Sequence, residues 1–136
     1  MKYLRAVLVK ELIRVFQDDC KRINHALRVL IEAEKIAESY GAVSHETVDM
    51  EVLIAAAVLH DIGIKTSEER LGYNSGKTQE EFGPPEAERI LKSIGFPEER
   101  TTRVCRIIGN HHSPSKYKIP ELEILKQADR RINRDE

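Results

Sequence analysis

The 136 residues are enough for one domain built around one hydrophobic core. Twenty-two basic and 23 acidic side chains leave a net charge of −1, which excludes a global attraction to nucleic acid or acidic membranes. The longest apolar run, the eight residues from Val52 to Leu59, falls far short of the roughly 20 needed to span a bilayer.

The N-terminal stretch MKYLRAVLVKELIRVF mixes Lys, Arg and Glu into its apolar residues and lacks the clean apolar segment of a signal peptide. Leu4, Val7, Leu8, Leu12 and Val15 recur at three- and four-residue steps, predicting an amphipathic helix over residues 2–17. Asp18 and Asp19 offer a break and an N-cap. From Cys20 to Tyr40, residues Ile23, Leu27, Leu30, Ala33 and Ala37 share one face, and Gly41 is a good stop. Ser44 opens a capping-box-like SHET, so a third helix is expected from about His45 to Asp61, ended by Gly63. Residues 64–83 hold three glycines, much charge and little periodicity, and read as a long loop of the kind that often carries function. Pro84 and Pro85 are expected to start a helix reaching Gly95, and Pro97 another ending near Gly109 to His112. SPSKYKIP reads as loop, and a last helix runs from about Pro120 to Asn133. With three Phe, four Tyr and no strict alternation, strands are not expected. The reading is an all-α, compact single-domain bundle of about six helices spanning residues 1–136. Cys20 and Cys105 are isolated and form no metal or redox motif, so reduced thiols in a cytoplasmic protein are the simplest expectation.

Polar residues interrupt the apolar faces at four places. Asp129 follows Leu122 and Leu125 by seven and four residues and therefore faces inward. His25 borders the apolar stripe of the second helix. His60 and Asp61 end the most apolar helix. A buried carboxylate needs a cation or a set of donors. For Asp129 that cation is either a metal or an arginine, with Arg28, Arg130 and Arg131 available. An inward histidine is either a ligand or a hydrogen-bonded core residue. Together the four groups make a mixed N/O set that suits Mn, Fe, Co, Ni, Zn or Mg without choosing among them.

His25 in RINHALRVL, the doublet His60-Asp61 in AAAVLHDIG, and Asp129 in EILKQADRRIN resemble the HD superfamily of metal-dependent phosphohydrolases. The likeness extends from residue 20 to residue 133, and GKTQEEFGPPEAERIL followed by IIGNHH looks like a subgroup of small stand-alone HD proteins. The resemblance implies an HD-type helical fold and a metal held by His25, His60, Asp61 and Asp129. It also implies hydrolysis of a phosphate ester or anhydride, with a nucleotide or other small phosphorylated molecule as partner. Asp61 would both ligate the ion and orient water. Members with more than one ion add a histidine before the turn that opens the fourth helix. The corresponding place, Gln79 to Glu81, holds none, so one ion is expected rather than two, with Glu80 or Glu81 as possible substitutes. His111 and His112 are either a solvated helix end or contacts for substrate phosphate, His111 also serving as a proton donor. Lys65 and Lys77 are candidate phosphate contacts, Lys65 with a catalytic part, although loop lysines are ordinarily solvated. The acidic proton donor that some members carry three residues after the doublet has no counterpart at Ile64 or Lys65, and Glu68 and Glu69 are loose candidates only.

The alternatives are a non-catalytic HD module that binds a nucleotide or metal for regulation, and an oxidative diiron enzyme, for which the second-site ligands are incomplete. Nucleic acid as a large substrate is disfavoured by the interleaved charges. Residues 64–83 and 113–119 are expected to read the substrate, with Tyr73 or Tyr117 available for stacking. The N-terminal helix could pack within the domain or against a second copy in a homodimer.

Overall fold

Eight consecutive apolar side chains leave a helix no face for water, so the rest of the chain has to enclose it. The computed structural model describes residues 1–43 and 46–136, and this enclosure is its organising feature. The central helix, α3 (Met50–Leu59), buries every side chain from Val52 to Leu59. Around it pack α1 (Leu4–Phe16), α2 (Cys20–Val43), α6 (Glu98–Ile108) and α7 (Pro120–Asp135). The run Ala55-Ala56-Ala57 is fully buried, which suits close approach of neighbouring backbones. The N-terminal helix packs within the domain. It places Leu4, Leu8, Leu12 and Phe16 in the common core, against α3 and α2.

The described residues form seven helices and no strand, one helix more than expected. The extra one lies where a long loop was read. Residues 64–83 fold as α4 (Ile64–Leu71), a short turn, and the opening of α5 (Gly76–Ser93). The expectation failed because the glycines there do not act as breakers in series. Gly72, at φ +79°, is the left-handed cap of α4. Ser75 caps α5 reciprocally with Thr78, each accepting from the other's backbone N–H, at 3.2 and 2.9 Å. The inward face of α4 carries only Ile64 and Ser67, too few apolar residues to show a period. Ser67 compensates by donating to Tyr73 O and pairing with the Thr78 hydroxyl, both at 2.7 Å. Pro84 and Pro85 lie inside α5 rather than at its start, so that helix forgoes two backbone donors.

Two boundaries also move. α2 runs past Gly41 to Val43. The helix start read at Ser44 and His45 lies outside the described residues, and α3 begins at an Asp49 cap, whose carboxylate accepts from Glu51 N and Val52 N. Asp49 N–H donates to Glu121 of α7, a fully buried carboxylate that Arg103 of α6 reaches at 2.5 Å. That pairing ties the start of α3 to both neighbours, and the other end of α3 carries His60. No helix among the described residues is long and apolar enough to cross a membrane.

Where the chain leaves α3 it meets α5 backbone to backbone. A Cβ at Gly63 would lie 2.5 Å from Gly83 N and 2.9 Å from Phe82 C, and a Cβ at Gly83 would lie 2.7 Å from Ile108 Cγ2. This contact holds the turn after Asp61 against the end of α6. Gly63→Ala is expected to cost about 3 kcal/mol, the upper end for overpacking, because backbone must move. Gly72→Ala meets open space and carries only the left-handed backbone penalty, about 1 kcal/mol. Thermal unfolding of the two variants beside the parent checks the ranking.

Candidate metal centre

Three histidines of the centre are fixed through Nδ1. His60, the C-cap of α3, points Nδ1 at Ala57 O, one turn back, at 2.7 Å. His111, in the turn after α6, does the same with Ile108 O at 2.6 Å. His25 of α2 sets Nδ1 2.9 Å from Glu136 Oε1. A carbonyl or carboxylate at Nδ1 calls for a proton there, which leaves Nε2 as the nitrogen able to bind a cation.

Those nitrogens converge with two carboxylates. His25 Nε2 is 3.0 Å from Asp129 Oδ1 and 3.3 Å from His60 Nε2. His60 Nε2 lies 3.3 Å from Asp129 Oδ1 and 3.4 Å from Asp61 Oδ2, and His25 Nε2 lies 3.5 Å from that same Asp61 oxygen. Three helices thus bring His25, His60, Asp61 and Asp129 to one point. The second oxygen of Asp61 faces the other way, 3.5 Å from His111 Nε2. His111 is buried, and its Nε2 has no hydrogen-bond partner. Asp61 therefore stands between two donor groups, one with His25 and His60, the other with His111 and His112.

The electrostatics match a cation site. Burial disfavours charge on His60, yet Asp61 and Asp129 outweigh it and lift its pKa to about 9. Burial would raise Asp61, but His60 and His111 overcome it and lower its pKa to about 2. Asp129 is held well below the usual carboxylate range, since hydrogen bonds from His25 and His60 outweigh its burial. His25 is raised, Asp129 and Asp61 prevailing over burial. Without a metal, protons on the imidazoles balance the two carboxylates. A divalent ion held by the same atoms would displace those protons, and the unpartnered Nε2 of His111 gives the donor set a further lone pair. The residues present therefore fit a divalent metal.

The residues at the mouth of the centre differ from those expected. A cleft of about 540 Å³ opens beside His25 and Asp61, lined by Asp19, Lys21, Arg22, Ile64, Asn133 and Glu136. Lys65 and Lys77 are not among its lining residues. Lys65 is half-buried on α4 and Lys77 exposed near the start of α5. Lys21 and Arg22 precede His25 by four and three residues, hence by one helical turn on the same face. That spacing was the available signal. Glu68, a loose candidate for proton donor, pairs instead with Arg22 at 2.7 and 3.0 Å, while Glu69 is exposed. Tyr73 and Tyr117 are exposed and line no part of this cleft, and Tyr117 lies under the Arg106 guanidinium.

On the His111 side, the segment Gln79 to Glu81 reaches the centre despite lacking a histidine. Gln79 Oε1 is 2.6 Å from His112 Nε2. Glu80 accepts from His112 N at 3.0 Å and from Ser113 Oγ at 2.6 Å, and Glu81 faces solvent. Gly76 makes room for the His112 ring, since a Cβ there would sit 3.0 Å from His112 Cβ. His111 is thus built into the interior, while His112 is exposed at the edge and held by these hydrogen bonds, the two rings 3.9 Å apart. His112 is lowered by burial and by His111.

A family model described as the HD domain matches residues 22–134. The fold is similar to a crystal structure at 1.45 Å described as a "predicted HD superfamily hydrolase" from an uncultured Thermotogales bacterium. The two chains are 29% identical with a TM-score of 0.67, over 94% of this chain and 67% of that one. No curated protein matches the chain.

The pKa shifts set the pH response of the metal-free protein. The stabilisation from His60, whose ordinary pKa is 6.5, is complete below that value and lost as pH rises through about 9. That from Asp61, ordinarily 3.8, is present above 3.8 and lost as pH falls toward about 2. Maximum metal-free stability is therefore expected between those ordinary values, which unfolding across a pH series measures. Metal affinity should run oppositely. Calorimetric titration with Zn²⁺ is expected to show tighter binding, by up to about tenfold per unit for each proton displaced, between about pH 6 and pH 8.

Proposed function

Because the chain belongs to the HD domain family, we propose that it is a metal-dependent phosphohydrolase acting on a nucleotide or other small phosphorylated molecule. The observation that carries this reading is that His25 and His60 each set Nε2 3.0–3.5 Å from a carboxylate oxygen of both Asp61 and Asp129, beside a cleft that His25 and Asp61 line together with Lys21 and Arg22.

His25, His60, Asp61 and Asp129 would hold the ion. When bound, it supplies positive charge that polarises a phosphoryl oxygen and makes water a better nucleophile. The remaining work belongs to the side chains. Asp61, through the oxygen on the His111 side, accepts a hydrogen bond from the attacking water and fixes its direction. His111, with Nδ1 committed to Ile108 O, keeps Nε2 free to take up and return a proton at the same place. Enclosure by α3 and its neighbours keeps these groups in a low-dielectric setting, where their charges act most strongly.

Lys21 and Arg22 are the phosphate contacts in this reading, in place of Lys65 and Lys77. Arg22 lines the cleft, and its pairing with Glu68 holds the guanidinium in one orientation. Asn133 adds an amide for a hydroxyl or phosphate oxygen.

The direct test is phosphate release from nucleoside mono-, di- and triphosphates, dinucleotides and sugar phosphates, with Mn²⁺, Co²⁺, Ni²⁺ or Mg²⁺ and with no metal. Metal-dependent release that disappears in Asp61→Ala is expected. Elemental analysis of His60→Ala and Asp129→Ala should show metal lost in both, and unchanged content in both would sink the proposed ligand set. On the best substrate, Arg22→Ala is expected to raise KM about tenfold, the loss of one charge-assisted contact, while Lys77→Ala leaves KM and kcat as they were.

A further inference from the structure

His112 stands at the end of a hydrogen-bond chain whose direction is set at its far end. Arg22 can only donate, and it donates both guanidinium bonds to Glu68 at 2.7 and 3.0 Å. An ionised Glu68 can only accept. Asn74, 3.0 Å away, must therefore turn its Nδ2 toward Glu68. Its Oδ1 then faces Gln79, which must present Nε2 to it, at 2.9 Å. Gln79 Oε1 is left facing His112 Nε2 at 2.6 Å, and an amide oxygen accepts only. The proton has to be on His112 Nε2. Every polar hydrogen in the chain points toward Glu68.

We infer that Glu68, Asn74 and Gln79 are positioning residues that impose the Nε2–H tautomer on His112. This is opposite to the tautomer of His60 and His111, whose Nδ1 atoms face backbone carbonyls. His112 keeps one lone pair, on Nδ1, and any cation or hydrogen-bond donor that it takes is bound through that atom. The tether is otherwise rigid. Gln79 is buried, Gly76 admits the ring, and Glu80 holds the His112 backbone N–H. The chain also joins the two flanks of the centre, since Arg22 lines the cleft beside His25 while the His112 ring packs at a tilt against His111. A rearrangement of Glu68 would reach His112 without touching it.

The tautomer can be read directly from two-bond ¹⁵N–¹H spectra of the histidine rings in the full chain, with and without Zn²⁺. The parent is expected to show neutral His112 as Nε2–H, the reverse of neutral His111 as Nδ1–H. Gln79→Leu removes the acceptor, and the amide introduced by Glu68→Gln can turn either way, which frees the chain to reverse. Both variants should convert His112 to a mixture of tautomers. His60 should not change in either, which separates this effect from general unfolding. A parent His112 in the Nδ1–H form, or a His112 unmoved by both substitutions, overturns the inference. The consequence for hydrolysis rests on the function proposed above. Gln79→Leu is expected to lower kcat about tenfold, the usual scale for losing such an outer partner, with KM little changed. If no substrate is hydrolysed, that reading fails, and the spectra still decide the tautomer.

Discussion

A helix with no polar side is the constraint from which the rest of the molecule follows. Val52 to Leu59 can be shielded only by packing on every face. Four helices supply that packing, and their positions are thereby fixed relative to the residue that ends α3. His60 and Asp61 lie where the apolar run stops, so the helix buried on every face delivers the doublet. α2 and α7 have to lie against each other and against α3, and so His25 and Asp129 meet at its end. The location of the centre is a consequence of core packing rather than of any local motif.

Placing two carboxylates and two imidazoles at that depth would be costly if any were uncompensated. The geometry compensates them mutually. Asp61 and Asp129 draw charge onto His25 and His60, and these in turn keep both carboxyls ionised. The arrangement is stable with protons and chemically ready to exchange them for a divalent ion. The backbone carbonyls at Ala57 and Ile108 matter as much as the ligands, since they select which nitrogen of His60 and His111 is offered.

The polar segment of residues 64–83 has a different role. It adds little to the apolar core but surrounds the centre with directed hydrogen bonds. Glu68, Asn74, Gln79 and Glu80 all lie in residues that lack a hydrophobic period, and each is engaged by a residue distant in sequence or by one that is. Gly63 and Gly83 bring its backbone into contact with the exit of α3, so the segment is held as closely as the core.

The sequence by itself determined the all-helical class and the burial of Val52 to Leu59. Both are periodic, local properties, and short-range packing obeys them. It also singled out His25, His60, Asp61 and Asp129, because a polar residue on an apolar face is conspicuous without knowledge of the fold. Only the tertiary structure decided what surrounds that set. The helical state of residues 64–83 was illegible because their order comes from caps, glycine contacts and hydroxyl pairs, none of which leaves a period. Glu136 reaches His25 across 111 residues and Gln79 reaches His112 across 33, separations that no spacing rule encodes. Arg22 could have been read from its place one turn before His25. That it lines the cleft, while Lys65 and Lys77 do not, depends on how α2, α4 and α7 pack, which is a property of the assembled chain.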